Sequence, residues 1–105
     1  GVWAQLRAVE AGGGLRAPGG SVLLSCWGSG FNFEYYSIQR YHQTSSGSLK
    51  WVSHIGADSS DTAFGPAMEG RTTASRNNSQ AEVSLSLRAL LPQDSARYFC
   101  TIHTG

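Results

Sequence analysis

Two cysteines constrain this chain more than any other sequence feature. Cys26 and Cys100 lie 74 positions apart, and the sequence contains no other cysteine. Cys26 ends the run Leu-Ser-Cys, and Cys100 ends residues 94–100, which read Asp-Ser-Ala-Arg-Tyr-Phe-Cys. Two cysteines alone allow either a disulfide or two buried thiols, depending on the redox compartment. A disulfide would close a loop of about 75 residues and stabilise the fold by on the order of 4 kcal/mol.

Length and charge narrow the class of protein. The chain has 105 residues and a mass of 11.2 kDa, so residues 1–105 are expected to form a single domain with one core. The net charge of +1 gives no electrostatic reason to expect a nucleic-acid partner. No apolar run approaches the length of a spanning helix, so we expect no membrane insertion. Residues 1–4 are too few for a signal peptide and are predicted to be extra residues from a leader or an added tag.

Short alternating runs separated by turn residues predict an all-β sandwich. Between residues 81 and 87 the apolar side chains Val83, Leu85 and Leu87 alternate with polar ones and are predicted to face inward. The sequence Ser-Ser-Gly-Ser at residues 45–48 predicts a turn between two strands. The main predicted strands are residues 22–26, 38–43, 49–55, 81–87 and 97–102.

The order and spacing of the motifs resemble an antibody heavy-chain variable domain over residues 5–102, without an insertion or deletion. Residues 5–15 resemble the first heavy-chain strand, and residues 29–33 (Ser-Gly-Phe-Asn-Phe) resemble the lead-in to the first hypervariable loop. Residues 49–53 (Leu-Lys-Trp-Val-Ser) resemble the strand that enters the second loop. The resemblance implies an immunoglobulin variable-type sandwich of two antiparallel sheets with Greek-key topology.

The same resemblance implies roles for the residues around the second cysteine. Cys26 and Cys100 are expected to form the disulfide between the two sheets. Tyr98, two positions before Cys100, is expected to make the hydrogen bond of the tyrosine corner. A disulfide of this kind indicates an oxidising environment, so a secreted or extracellular protein is expected.

Two further features lie in the later framework. The family pattern suggests a surface ion pair between Arg71 and Asp94, which would contribute at most about 1 kcal/mol. The alternative is two solvated charges. Residues 77–79 (Asn-Asn-Ser) fit the N-glycosylation acceptor pattern at Asn77, although such triplets also arise by chance.

Arg40 departs most from the family pattern, which places a tryptophan there against the disulfide. A buried guanidinium without a partner would cost several kcal/mol, out of a total stability of about 5–15 kcal/mol. Three hypotheses are open: the side chain reaches solvent or an acid, the gene is damaged, or the residue is wrongly assigned. The preserved spacing favours the third hypothesis, alone or combined with another.

The end of the chain is a second departure. The family continues past the third hypervariable loop into a closing strand, whereas this sequence stops at Gly105. We therefore expect the closing strand to be missing and one sheet edge to be unpaired, which favours aggregation.

The resemblance implies that loops at one end of the sandwich bind an antigen, expected to be a protein, without covalent chemistry. Tyrosines supply rigid contact area and small polar residues supply hydrogen bonds, although ordinary exposed turns have a similar composition. The adjacent pair Tyr35 and Tyr36 is the strongest element of the prediction. The predicted contact residues are Asn32, Glu34, Tyr35, Tyr36 and Ser37 in the first loop, His54, Asp58, Ser59, Ser60 and Asp61 in the second, and His103 and Thr104 at the start of the third.

An antibody light chain is the second expected partner. Exposed apolar side chains at Leu49 and Trp51 would form an adhesive patch, which a partner would cover. Tyr41 instead resembles the aromatic found at this position in single-domain camelid antibodies, which usually lack the leucine and the tryptophan. The predicted light-chain interface consists of Tyr41, Gln43, Leu49, Trp51 and Phe99.

The sequence gives little support for a catalytic function. The three histidines are scattered, and no nucleophile elbow or phosphate-binding loop is present, so an enzyme is not expected. No cofactor or metal is predicted, although His54 and His103 could approach Asp58 or Asp61 to form a chance metal site.

The alternatives to a paired antibody domain are an unpaired single-domain antibody, favoured if Leu49 and Trp51 are exposed, and a receptor variable domain such as that of a T-cell receptor. A purely structural role would leave loop substitutions without effect.

Overall fold

Two antiparallel sheets pack face to face in this protein. The computed structural model describes residues 3–5, 7–11, 19–28 and 33–103, with side chains described for 19–28 and 33–102. The strands in these ranges are β1 (Trp3–Gln5), β2 (Arg7–Ala11), β3 (Val22–Trp27), β4 (Ile38–Gln43), β5 (Leu49–Ile55), β6 (Thr62–Phe64), β7 (Thr72–Asn77), β8 (Glu82–Leu87) and β9 (Arg97–His103). The same ranges contain three short 3₁₀ turns between strands, at Phe33–Tyr35, Asn78–Gln80 and Pro92–Asp94.

The strand order confirms the predicted immunoglobulin variable-type sandwich. One sheet has the order β1-β9-β4-β5-β6 and the other has the order β2-β3-β8-β7. Several hydrogen-bonded neighbours, such as β3 with β8 and β4 with β9, are distant in sequence, as in a Greek key. The chain therefore passes repeatedly from one sheet to the other, and each sheet is held together by pairs of strands that are distant in sequence.

The alternation of apolar and polar residues predicted most strands well. Strands β4 and β5 begin and end where the sequence indicated, and the intervening turn carries Gly47 at a φ of 90°. In β8, Val83, Leu85 and Leu87 are buried, as predicted. The start of β8 was predicted one residue too early. Ala81 adopts a left-handed conformation with φ of 51° and closes the preceding turn, so the strand begins at Glu82.

The core between the sheets consists of two clusters of buried side chains. The disulfide cluster contains Cys26, Phe33, Ile38, Ile55, Val83, Cys100 and Ile102. The tyrosine cluster contains Leu24, Val52, Met68, Leu85, Leu87, Leu90 and Tyr98. Ala74 of β7 packs against both clusters. Each fully buried aliphatic side chain contributes roughly 1.5–3 kcal/mol, so both clusters matter for stability.

The disulfide and the tyrosine corner are present as predicted. Cys26 in β3 and Cys100 in β9 are bonded, with their Cα atoms 6.6 Å apart, so the bond joins one sheet to the other. The hydroxyl of Tyr98 donates to the backbone carbonyl of Asp94 at 2.6 Å. This hydrogen bond fixes the corner that leads into β9.

Arg71 and Asp94 form the predicted ion pair, but the pair is largely buried. Nη1 and Nη2 of Arg71 donate to the two carboxylate oxygens of Asp94 at 2.8 and 2.9 Å. The side chains are only 13% and 4% exposed, so the expectation of a surface pair is wrong. Asp94 also accepts from the backbone N–H of Leu91 at 2.7 Å. Because forked, charge-assisted hydrogen bonds in a water-poor site are strong, losing one partner would cost more than a surface pair does.

Arg40 lies inside the sandwich. Its side chain is 2% exposed, so the hypothesis that it reaches solvent is wrong. On the inward face of β4 it stands between Ile38 of the disulfide cluster and His42, whose ring lies 5.5 Å from that of Tyr98. Its register partner in β9 is Cys100. A charged group therefore occupies the space between the two apolar clusters.

The free edge expected beside β9 is also corrected by the structure. Strand β1 pairs antiparallel with β9, with Trp3 opposite His103 and Gln5 opposite Thr101. Strand β9 therefore has neighbours on both sides, β1 and β4. Trp3 and Ala4, which the sequence placed among extra leader-like residues, lie in this added strand.

Replacing Arg40 by Trp should raise the free energy of unfolding by about 1–4 kcal/mol, because apolar replacements of buried charged groups are often stabilising. Arg40→Met, a smaller change in shape, tests the same effect without the bulk of an indole ring. Chemical denaturation of the disulfide-intact chain measures the free energy of unfolding of both variants. Arg88→Trp, at an exposed position, is the control for a general effect of apolar substitution. Lower stability for both Arg40 variants would contradict the prediction.

His42 is a second polar group on the inward face of β4. Burial lowers the pKa of its imidazole; the charge of Asp94 opposes this shift, and that of Lys50 adds to it. Within the described part of the chain, its Nδ1 atom is buried and has no hydrogen-bond partner. The folded protein therefore favours the neutral ring more than the unfolded chain does.

Acid should destabilise the protein in two stages. An unfolded histidine binds a proton below about pH 6.5, which the folded His42 resists, so stability should fall as the pH drops below that value. Burial alone would raise the pKa of Asp94, but the hydrogen bonds from Arg71 and the Leu91 backbone lower it overall. The stability that the ionised Asp94 carboxylate contributes should therefore be lost only below about pH 3.9.

Denaturation measured between pH 7.5 and 3 would resolve the two stages. The His42→Phe variant should lose the first stage and keep the second. An unchanged first stage in that variant would assign it to another group.

Candidate binding surfaces

Strand pairing brings the predicted loops together at one end of the sandwich. Ile38, the first residue of β4, is paired with Ile55 at the end of β5 and with Ile102 near the end of β9. The segment that precedes β4, the segment that follows β5 and the end of β9 therefore lie at the same end. We call the described residues 33–37 and 54–61 at this end the loop surface.

Arg76 holds the first and second loops of this surface in place. From β7 its guanidinium donates to the backbone carbonyls of Phe33, Tyr36 and Gly56, at 2.8, 2.8 and 2.6 Å. It also stacks on the ring of Phe33, with 4.7 Å between Cζ and the ring centroid. Burial lowers the pKa of Arg76 and the charge of Glu34 opposes that shift, but an arginine stays protonated. One side chain thus fixes the relative position of two loops.

The second loop is further held by its own hydrogen bonds. Asp58 accepts from the backbone N–H and the hydroxyl of Ser60, at 3.0 and 2.9 Å. These bonds, the backbone one first, lower the pKa of Asp58, so its carboxylate stays charged at neutral pH. Gly56 donates to the carbonyl of Asp61 at 2.7 Å, and a Cβ atom on Gly56 would lie 2.9 Å from Cβ of Asp61. The loop therefore presents its polar groups in a defined arrangement.

The structure distinguishes among the predicted antigen-contact residues. Tyr35 is 70% exposed, whereas Tyr36 is half-buried and packs against the disulfide cluster. The two adjacent tyrosines thus differ, because only Tyr35 projects from the turn. Asn32 and Thr104 lie outside the described residues, and His103 belongs to β9 although its side chain is not described. The exposed predicted residues are Glu34, Tyr35, Asp58, Ser59, Ser60 and Asp61, and Ser37 and His54 are partly buried.

The residues predicted to meet a light chain lie together on the outer face of the five-stranded sheet. Tyr41 is paired with Phe99 on one side and with Trp51 on the other, and Gln43 is paired with Leu49. Leu49 is 62% exposed and Trp51 is 39% exposed, while the other three are partly buried. The guanidinium of Arg97 covers the ring of Phe99 at 5.4 Å. We call the group Tyr41, Gln43, Leu49, Trp51 and Phe99 the sheet face.

A chain of hydrogen bonds connects the sheet face to the loop surface. The indole N–H of Trp51 donates to Oε1 of Gln39 at 3.2 Å, and Nε2 of Gln39 is hydrogen-bonded to Nδ1 of His54. Nε2 of His54 lies 3.2 Å from Oδ2 of Asp61. Because an indole only donates and a carboxylate only accepts, Gln39 donates to His54 and His54 donates to Asp61. The two surfaces are therefore linked by oriented side chains.

Among the described residues, no three or more histidine, cysteine, aspartate or glutamate side chains are grouped so that they could hold a metal ion. None of the helices in the described part of the chain has the length and apolar character needed to span a bilayer.

A comparison with protein families agrees with this geometry. Residues 15–105 match the family model of the immunoglobulin V-set domain. The chain belongs to the immunoglobulin V-set family, whose inter-sheet disulfide and tyrosine corner it contains.

Sequence reasoning missed two residues that organise these surfaces. Neither Arg76 nor Gln39 belongs to a sequence motif that indicates such a role. The three carbonyls that Arg76 binds lie 20 to 43 positions away in sequence. No local pattern could identify such partners, because only the packing of the two sheets brings them to the guanidinium.

Replacing Arg76 by Lys should loosen both loops while leaving the sandwich folded. Lysine keeps the charge but lacks the planar fork that serves several carbonyls at once, so we expect a loss of about 2–3 kcal/mol. Hydrogen–deuterium exchange should become faster in residues 33–37 and 56–61 and stay unchanged in β8. Arg88→Lys is the matched control, since exposed Arg88 donates from Nη1 to Thr73 on the outer face. Equal exchange in the two variants would show that Arg76 does not hold the loops.

Proposed function

We propose that this chain is a heavy-chain variable domain that binds a protein antigen through its loop surface and a light chain through its sheet face. The observation that supports the proposal most is the presence of two different surfaces on one V-set sandwich. One surface is polar and is formed by loops that Arg76 holds together. The other is a flat strand face with exposed apolar side chains.

Apolar exposure supports a protein partner at the sheet face. Leu49 and Trp51 lie on the same strand, and Tyr41 and Phe99 continue the apolar area across two neighbouring strands. An apolar patch rimmed by polar groups is typical of a protein interaction site. Gln43 and Arg97 supply polar groups beside this patch. A second variable domain with a similar flat face, such as that of a light chain, would cover it.

The composition of the loop surface and its fixed conformation support antigen binding. Tyr35 offers a rigid aromatic side chain that is largely exposed, and Asp58 and Ser60 offer hydrogen-bonding groups that are already oriented. Groups oriented before binding lose less conformational entropy when a partner arrives. Binding would therefore rest on shape and hydrogen-bond complementarity, with no chemical reaction and no cofactor. The disulfide supports an extracellular location and, for an antibody, secretion.

Two alternatives remain within the same family. An unpaired single-domain antibody would keep Leu49 and Trp51 exposed, as they are in the isolated chain, and Tyr41 fits that alternative. The apolar character of the patch favours pairing instead. A receptor variable domain, such as that of a T-cell receptor, would use the same two surfaces on a membrane-attached chain.

Mixing the chain with a light-chain variable domain should give a one-to-one complex in sedimentation velocity. Leu49→Ser should weaken this complex by about 10-fold or more, because burial of a leucine contributes roughly 1.5–3 kcal/mol. Leu23→Ser is the matched control, since Leu23 is 55% exposed on the four-stranded sheet. A monomer that neither binds the light chain nor self-associates would favour the unpaired alternative.

The paired sample then tests the loop surface. The wild-type pair should capture its antigen from a protein array, and Tyr35→Ala should abolish this capture. Glu69→Ala, at an exposed position outside the loop surface, should leave capture intact. Capture that survives substitution of Tyr35, Tyr36 and Asp58 would indicate a structural role for the domain.

A further inference from the structure

The turn between β7 and β8 carries a sequence motif that the proposed function does not use. Asn77 ends β7, and residues 77–79 read Asn-Asn-Ser. This triplet is the acceptor pattern for N-linked glycosylation, which needs an accessible asparagine on the protein surface. The fold decides whether the site is compatible with a glycan, because a bulky sugar on a buried asparagine would not fit into a packed core.

The geometry of the turn presents Asn77 to solvent. Asn77 is exposed, as are Thr73 and Ser75, which share its face of β7, whereas Thr72, Ala74 and Arg76 on the other face are partly buried. Both hydrogen bonds to its side chain end on Oδ1, from the backbone N–H and the hydroxyl of Ser79 at 3.2 and 2.6 Å. Within the described ranges its Nδ2 atom has no hydrogen-bond partner. The nitrogen that would carry a sugar is therefore available.

The position of the turn determines what a glycan would cover. Asn78, the next residue, accepts from Nε of Arg76 at 2.8 Å, and Arg76 contacts the carbonyls of both described loops. The turn therefore lies at the loop end of the sandwich. Asn77 itself lies on the outer face of the four-stranded sheet, whereas the sheet face belongs to the five-stranded sheet on the opposite side.

We propose that Asn77 is an N-glycosylation site whose glycan projects from the outer face of the four-stranded sheet beside the loop surface and leaves the sheet face uncovered. The modification joins Nδ2 to the anomeric carbon of the first sugar. The donor is an oligosaccharide linked to a lipid pyrophosphate; the lipid pyrophosphate leaves, and Nδ2 gives up one proton. The proposal does not depend on antigen or light-chain binding, because it concerns the chain alone.

The test is production of the chain in a eukaryotic secretory pathway, followed by intact mass measurement before and after peptide-N-glycosidase treatment. The wild type should carry an added oligosaccharide mass that the enzyme removes, and peptide mapping should place it at Asn77. Asn77→Asp should remove the added mass and keep an acceptor for the Ser79 hydrogen bonds. Ser79→Ala should remove the added mass as well, whereas Ser79→Thr keeps the motif and should keep the glycan.

Each outcome bears on the proposal. Circular dichroism checks that every variant is folded, and chain retained in the cells is analysed in the same way if secretion is poor. An unmodified wild type together with an unmodified Ser79→Thr variant would overturn the proposal, as would a glycan that persists in Asn77→Asp. Hydroxyl-radical labelling of Trp51 should be equal with and without the glycan, and protection of Trp51 by the glycan would overturn its placement.

Discussion

The disulfide between Cys26 and Cys100 is the constraint on which the rest of this structure depends. It joins an interior strand of one sheet to an interior strand of the other, so the inward residues of β3 and β9 must lie opposite each other. The disulfide cluster then forms around it, and the tyrosine cluster forms on the inward positions further along the same strands. Arg40 occupies the space between the clusters, where its burial opposes the stabilisation that the disulfide and the apolar contacts supply.

Three buried or partly buried arginines have different consequences in this fold. Arg76 is useful because its several donors match backbone carbonyl groups in two loops. Arg71 is useful because its fork matches the carboxylate of Asp94 and anchors the turn that precedes β9. Arg40 lies between the two apolar clusters, where burial of its charge has a desolvation cost. The value of a buried charge therefore depends on the groups that the fold places around it.

The separation of the surfaces also follows from the architecture. The loop surface is formed where strands end, and the sheet face is formed by outward side chains of β4, β5 and β9. The hydrogen-bonded series from Trp51 through Gln39 and His54 to Asp61 runs from one to the other. These hydrogen bonds orient the side chains of Trp51, Gln39 and His54 relative to Asp61 in the second loop.

The sequence by itself determined the bounds of β4 and β5 and the side of β8 that is buried. Alternation with a period of two placed Val83, Leu85 and Leu87 inward, and turn residues marked the ends of β4 and β5. The sequence could not determine that Ala81 adopts a left-handed conformation, or that Arg71 and Asp94 are buried, because both depend on neighbouring elements. Only the tertiary structure decided that β1 pairs with β9, that Tyr36 packs inward while Tyr35 projects, and that Arg76 binds carbonyls of two loops. Periodicity is a local property of the chain, whereas these contacts join residues that meet only after both sheets have packed.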